Sequence, residues 1–305
     1  MWDLKIFEVS IYHILNWFFV YSFLGWVWES CYVSVKEKRW VNRGFVTGPL
    51  CTIYGCGALS VYLLLLPYKG NFFSLYLGGF FVATLLEYMT AWLMEKIFHA
   101  SWWDYSEQPF NLKGRICLGA SLGWGFFTII LFYVFQPIVE KIVDSYPVRV
   151  GQIGITVVMC IHLVDLFLSS FAAFELREKL ERMDAVFDEL SEYLQSTKFY
   201  ETTEEMRTKI QNIREHYRAI GSYKKQAKRF ESLQALLADY IEQHGLKEYK
   251  QEALEKFSNL NKKIRDSYKE SSFVKKRMLI AYPNLKSLSR KAKDVSIHRI
   301  IRRKK

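Results

Sequence analysis

The sequence predicts an all-α protein, a polytopic five-span transmembrane helix bundle followed by a cytoplasmic helical, coiled-coil region. Three observations carry that prediction. Five apolar runs, at residues 12–34, 48–66, 72–94, 116–136 and 150–173, follow one another in the first half, each close to the ~20 residues a helix needs to cross hydrocarbon. Charge is divided unevenly: residues 1–174 hold 11 Lys and Arg against 11 Asp and Glu, so the whole net charge of +11 lies beyond them. After Phe174 the apolar residues recur at alternating steps of four and three, the seam of a coiled coil.

The amino-terminal stretch MWDLKIFEVS has an acidic residue at position 3 and no basic cluster. The first apolar run is therefore expected to stay as an anchor and not to be removed as a signal peptide. The first connection carries Lys36, Lys38, Arg39 and Arg43, and the third carries Lys96, Lys113 and Arg115. The alternate connections carry Lys69, then Lys141 and Arg149. Lys and Arg favour the cytoplasmic side, so the sequence predicts a multi-pass plasma-membrane protein with its N-terminus outside. An odd number of crossings then leaves the basic C-terminal half in the cytoplasm. The five cysteines lie in or beside apolar segments, and none has the spacing of a zinc site. They are read as small apolar residues, with no metal and no cofactor expected.

The domains expected are a transmembrane domain at 1–174, a coiled-coil or helical region at 175–282 and a basic tail at 283–305. Leu176, Leu180, Met183, Phe187, Leu190 and Leu194 form the first heptad series, and Met206, Ile210, Ile213, Tyr217 and Ile220 the second. Gly221, Gly245 and Tyr282–Pro283 mark breaks. The tail KAKDVSIHRIIRRKK suits anionic lipid headgroups, worth about 1 kcal/mol per cation near the surface. Nucleic-acid binding by that tail is not favoured, because basic residues beside a cytoplasmic membrane face are expected in any case.

Two polar loops stand between the spans. The first, NRGFVTGPLCTIYGCG, supplies Asn42, Gly44, Gly48 and Pro49. The second, WWDYSEQPFNLKGRICL, supplies Trp103, Asp104, Tyr105, Asn111 and Gly114. A cation precedes Gly44 and Gly114 alike, and eleven residues on each is followed by an aromatic–glycine pair, Tyr54–Gly55 and Trp124–Gly125. Spans one and two are thus read as related to three and four by a parallel repeat. The glycines of spans two and four let helices approach closely, and packing alone accounts for them. A homo-oligomer through the glycine faces or the coiled coil is the corresponding partner expectation.

Glu29, Glu87 and Asp165 lie inside predicted spans, where an unpaired carboxylate costs roughly 2.5–3.5 kcal/mol. They are expected to face the bundle interior. His162 lies one turn before Asp165. The sequence thus predicts an inner-leaflet polar cluster of Glu29, Arg43, Glu87, Arg115, Asp165 and His162. Two roles fit it: a salt-bridge network that fixes helix positions, or a contact for a substrate, an ion or a partner. No catalytic constellation is present, with neither HExxH nor GxSxG, and an enzyme is not expected.

Through SFLGWVWES, VNRGFVTGPLCTIYGCGAL, Glu87–Tyr88, WWDYSEQPFNLKGRICL and Ser121–Gly125, the chain resembles the bacterial CmpB-like family, named as type IV ABC-transporter permeases. The resemblance covers residues 20–175 and implies an integral membrane permease subunit. The sequence holds no GxxxxGK[ST] loop, so a permease of this kind requires a separate nucleotide-binding subunit. The alternative is a non-transporting scaffold or regulator that recruits partners through its coiled coils.

Overall fold

In a computed structural model of the chain, residue 2, residues 4–196, scattered positions between 255 and 266, residues 272–282 and residues 286–287 are described. The fold is mostly helical, and it divides into two compact units. One comprises Met1–Leu93 with Trp103–Phe171, the other Met94–Trp102 with the chain from Ala172 onward.

A short antiparallel pair, β1 (Lys5–Ile6) and β2 (Val9–Ser10), leads into α1 (Ile11–Glu37). Ser10 caps that helix by accepting the His13 amide at 3.3 Å, the role for which a serine is favoured at this position. Lys38 ends it in the left-handed conformation, with φ of 52°. The first loop follows, then α2 (Thr52–Leu65) and a 3₁₀ turn at Leu66–Tyr68. After that comes α3 (Phe72–Phe98). In the second loop, β4 (Asn111–Leu112) and β5 (Ile116–Cys117) pair as a hairpin, while β3 (Ala100–Ser101) lies just before it. Helix α4 (Leu118–Ile130) runs through a π segment at Leu131–Phe135 into α5 (Gln136–Asp144), and α6 spans Val148–Ser196. A nine-residue helix, α7 (Phe273–Ala281), and a last strand, β6 (Lys286–Ser287), complete the described chain.

All five predicted spans are helical, with shifted ends. The second begins at Thr52 and not at 48, because residues 48–51 form a turn in which the Leu50 amide bonds the Gly48 carbonyl at 2.8 Å. The fourth continues past 136 to Asp144. Pro137 has no amide proton and its ring crowds the preceding turn, and a π segment just before it widens the helix without breaking it. In the second span the counterpart, Pro67, falls in the 3₁₀ turn where the helix stops. The fifth span runs unbroken to Ser196. The side-chain packing of the heptads beyond Leu176 and most of the basic tail lie outside the described residues.

Among the described residues, three helical stretches are long and apolar enough to cross a membrane: Phe72–Phe98, Leu118–Asp144 and Val148–Leu176. The stretch Thr52–Tyr68 is apolar and shorter. Their outer faces expose Phe73, Phe81, Leu85, Ile153, Ile161, Val164 and Phe167. An apolar surface of this extent is foreign to a water-soluble monomer and fits a lipid solvent. Inward, Trp17 and Tyr21 of α1, Leu59, Tyr62 and Leu65 of α2, Leu75 of α3, and Phe132, Val139 and Val143 form one buried core.

The helices of each hairpin meet through glycine. A Cβ on Gly55 would strike Ser22 and come within 2.5 Å of the Phe18 carbonyl, while one on Gly125 would come within 2.7 Å of the Tyr76 ring. Phe18 precedes Glu29 by eleven residues, and Tyr76 precedes Glu87 by the same interval. Residues seventy apart also touch: Tyr62 and Phe132 have ring centroids 4.9 Å apart, and Tyr54 and Trp124 6.5 Å. Contact between equivalent positions is what a two-fold relation between two copies produces near its axis, so the packing agrees with the repeat read from the sequence.

Gly55→Leu is expected to destabilise the α1–α2 pair by about 1–3 kcal/mol, the usual cost of overpacking, because the backbone of Phe18 cannot move aside. Gly57, with open space around its Cβ position, should accept alanine with a change below ~0.5 kcal/mol. Unfolding midpoints of the two variants in detergent micelles test the contrast; equal midpoints would refute the packing.

Candidate functional site

Glu29, Glu87 and Asp165, the carboxylates expected within spans, are held at three centres. At the first, Glu29 of α1 accepts a 2.6 Å hydrogen bond from the Tyr54 hydroxyl of α2, and its second oxygen lies 3.6 Å from Arg43 Nε. Both partners of that ion pair are largely buried, with side chains 28% and 19% exposed. Tyr54 reaches Glu29 because its ring lies against Gly25, where a Cβ would collide with it. Gly25 and Glu29 are four residues apart and hence on one face of α1.

At the second centre, Glu87 of α3 accepts from the Trp124 indole of α4 at 3.0 Å and from the Tyr105 hydroxyl at 3.1 Å. Tyr105 belongs to the second loop, and that loop is tied to itself on both edges. Its amide donates to the Gly114 carbonyl at 2.8 Å, and the Trp103 indole donates to the Arg115 carbonyl at 2.9 Å. Asn111 accepts from the Gly114 amide at 3.1 Å and donates to the carbonyls of Ser106 and Gln108. Asp104 accepts from the amide and hydroxyl of Ser106. Gly114 sits at φ +70°, and Asp104 Oδ1 lies 2.8 Å from the place a Cβ would take. Both facts explain a glycine there. Burial first, then the charge of Glu87 and more weakly that of Glu29, hold the Tyr105 phenol well above its ordinary range. It therefore remains a proton donor at any physiological pH.

The third centre fixes the first loop. Asp165 of α6 accepts the Thr47 amide at 3.0 Å on one oxygen and the Gly48 amide at 2.7 Å on the other, with Ser169 adding a bond at 3.2 Å. Charge-assisted bonds to successive amides make the carboxylate a substitute for water around a loop that would otherwise leave its backbone unsatisfied. Asn42 supports the same loop: it accepts from the Trp26 indole at 2.8 Å and the Gly44 amide at 3.1 Å, and donates to the Thr47 carbonyl at 2.8 Å. Pro49 stands exposed at its turn.

The six residues expected as one cluster are thus distributed. Glu29 and Arg43 form an ion pair. Arg115 donates to the Tyr88 hydroxyl at 2.9 Å and lies over that ring at 5.1 Å. Asp165 is engaged by backbone amides. His162, buried, faces the Phe18 and Phe19 rings edge-on, at 6.3 and 5.5 Å, and neither of its nitrogens has a hydrogen-bond partner among the described residues. Sequence reasoning missed Tyr54 and Trp124 as the donors to the two glutamates. Their equivalent places in the repeat were the available signal. No group of three or more metal-ligating side chains occurs among the described residues.

Asp165→Ala removes the acceptor of two half-buried amides and is expected to cost up to about 1–3 kcal/mol for each group left unpaired. Asp165→Asn, which keeps one acceptor oxygen, should lose less. Hydrogen exchange at the Thr47 and Gly48 amides, together with the melting temperature, reads both variants. Unaltered exchange in Asp165→Ala would remove Asp165 from this role.

No curated protein and no solved structure matches the chain. The family model described as "Putative ABC-transporter type IV" (ABC_trans_CmpB) matches residues 16–170, which takes in both loops and all three carboxylate centres, and the chain therefore belongs to that family.

Proposed function

We propose that the chain is a membrane permease subunit of ABC-transporter type that works with a separate nucleotide-binding subunit. On this reading it crosses the plasma membrane five times, with its N-terminus outside and its basic C-terminal region in the cytoplasm, and it is not itself an enzyme. One observation carries the proposal. Two carboxylates, Glu29 and Glu87, occupy equivalent points of two helix hairpins and are met by the touching pair Tyr54 and Trp124. Ionisable groups kept within apolar helices at an expense of several kcal/mol are the ordinary mark of a pathway for polar cargo. Glu29 has a cation beside it, while Glu87 is held by the neutral donors Tyr105 and Trp124. Glu87 is thus the better placed of the two to exchange its partners for cargo.

A second reading is supported by the same bonds. Each of the three carboxylates already has donors from the protein, as a scaffold with no cargo would require. In that case the cytoplasmic region recruits partners and the membrane half anchors it.

Glu87→Gln removes the charge and keeps one acceptor oxygen, enough for Tyr105 or Trp124 but not for both. With a nucleotide-binding partner captured by cross-linking in native membranes, a permease should lose transport at least tenfold in vesicles at unchanged protein level. A scaffold should keep its partner and show no transport to lose. Orientation is read separately: a cysteine replacing Lys69 should react with an impermeant maleimide in intact cells, and one replacing Lys38 only after permeabilisation. The reverse pattern would overturn the topology.

A further inference from the structure

We propose that Glu87, with the rings of Trp124, Tyr105 and Tyr54 about it, is a binding site for an amphiphilic organic cation, an ammonium group carried on an apolar body. The inference rests on the permease reading of this centre and adds the chemical class of its cargo. Every residue it uses lies in the first unit.

Charge gives the sign of the cargo. Glu29 already has Arg43 Nε at 3.6 Å. Glu87 meets neutral donors, the Trp124 indole at 3.0 Å and the Tyr105 hydroxyl at 3.1 Å, and no cation is paired with it among the described residues. Arg115 lies over the neighbouring Tyr88 ring and donates to its hydroxyl. A carboxylate inside an apolar bundle is far more favourable with a counter-charge than without one. An ionised carboxyl has about four acceptor sites, so its two donors leave it able to receive a positive group as well. An anion would be repelled here, and a neutral cargo would leave the charge uncompensated.

Aromatic faces give the body of the cargo. The Trp124 ring, whose indole nitrogen holds Glu87, has the Tyr54 ring at 6.5 Å and the Phe127 ring at 6.0 Å between centroids. Phe127 in turn has Trp28 at 6.2 Å. Phe127 and Trp28 are 44% and 60% exposed, on the apolar surface that the bundle turns to lipid. Rings therefore follow one another from the carboxylate to the outer face. A cation is attracted to a ring face within ~6 Å of its centroid. Its apolar body can rest on the outer rings while the charge stays at Glu87. Packing alone would account for the inner rings, but the outer two are left open by the protein.

The test uses the full-length protein in micelles of a nonionic detergent, because many zwitterionic detergents carry an ammonium group themselves. The probe is benzyltrimethylammonium, and its neutral isostere neopentylbenzene is the control. Calorimetric titration should show the cation binding at least tenfold more tightly than the isostere. Glu87→Gln should weaken the cation at least tenfold, and Glu29→Gln, at a site that already has Arg43, less than threefold. Trp124→Phe, which keeps a ring, should bind more tightly than Trp124→Leu. Equal affinity for the two probes, or equal losses in the two glutamine variants, would overturn the site. Thermal melts establish that each variant is folded; if Glu87→Gln is not, the two Trp124 variants still decide, and equal affinity in them refutes the aromatic site. The permease reading fails separately. A cation bound tightly but never moved across vesicle membranes would sink that reading and leave this site standing. A cargo that is transported and not competed by the cation would do the opposite.

Discussion

The three carboxylate centres of the first unit answer to one constraint, the requirement that a charged group inside an apolar bundle find its partners in the protein. Water supplies that partner without geometric demands; a tyrosine, an indole or a loop amide does not. Asp165 illustrates the consequence. Its two oxygens take two consecutive amides of the first loop, so the helix that carries the charge and the loop that receives it fix each other. Removing either leaves buried groups of the other unsatisfied, which is costlier than never having placed them there.

The same constraint explains how the two hairpins resemble each other and where they part. Gly25 allows Tyr54 to lie along α1 until its hydroxyl arrives at Glu29, one turn further on. In the second hairpin Ala83 stands four residues before Glu87, and an indole takes the place of the phenol. The copies diverge in what completes the carboxylate. The first loop is short and delivers a guanidinium, Arg43. The second loop is longer, folds on itself through Asn111 and Gly114, and delivers a phenol, Tyr105. A cation compensates the charge; a phenol stabilises it only by hydrogen bonding. Two sites of common design thereby acquire different electrostatic character.

Much of this was legible in the sequence, for physical reasons that also set its limits. Length and hydropathy sufficed for the helices because a span announces itself over about 20 residues. The repeat was visible in Gly44 and Gly114 and in the two aromatic–glycine pairs, since close helix approach admits few residue types. The partners of the charges were not visible. A search for oppositely charged residues finds Arg43 for Glu29, but it offers Arg115 for Glu87, and the geometry instead brings Tyr105 and Trp124 to Glu87. Neutral donors carry no sign for such a search to detect. Asp165 was expected in the polar cluster, but its partners were hidden for a related reason, because they are main-chain amides, which every residue except proline possesses. Its spacing from Gly48 is 117 residues, beyond the reach of any periodicity.

The loops, and not the helices, therefore hold what distinguishes the two sites. Helix positions are fixed by glycine contacts that tolerate almost no displacement, whereas Tyr105 reaches Glu87 from a loop tied to itself through Trp103, Asn111 and Gly114. Rigid helices with a carboxylate whose donor arrives on a separately held loop form an arrangement in which one hydrogen bond can change without repacking the bundle. The cost of such a change is about 1 kcal/mol for a typical bond and about 1.5–3 for one to a charged group, within the range by which allosteric effectors shift equilibria. A polar centre buried deeper, with all its donors on helices, would need the core of Trp17, Tyr62 and Phe132 to move before it could respond.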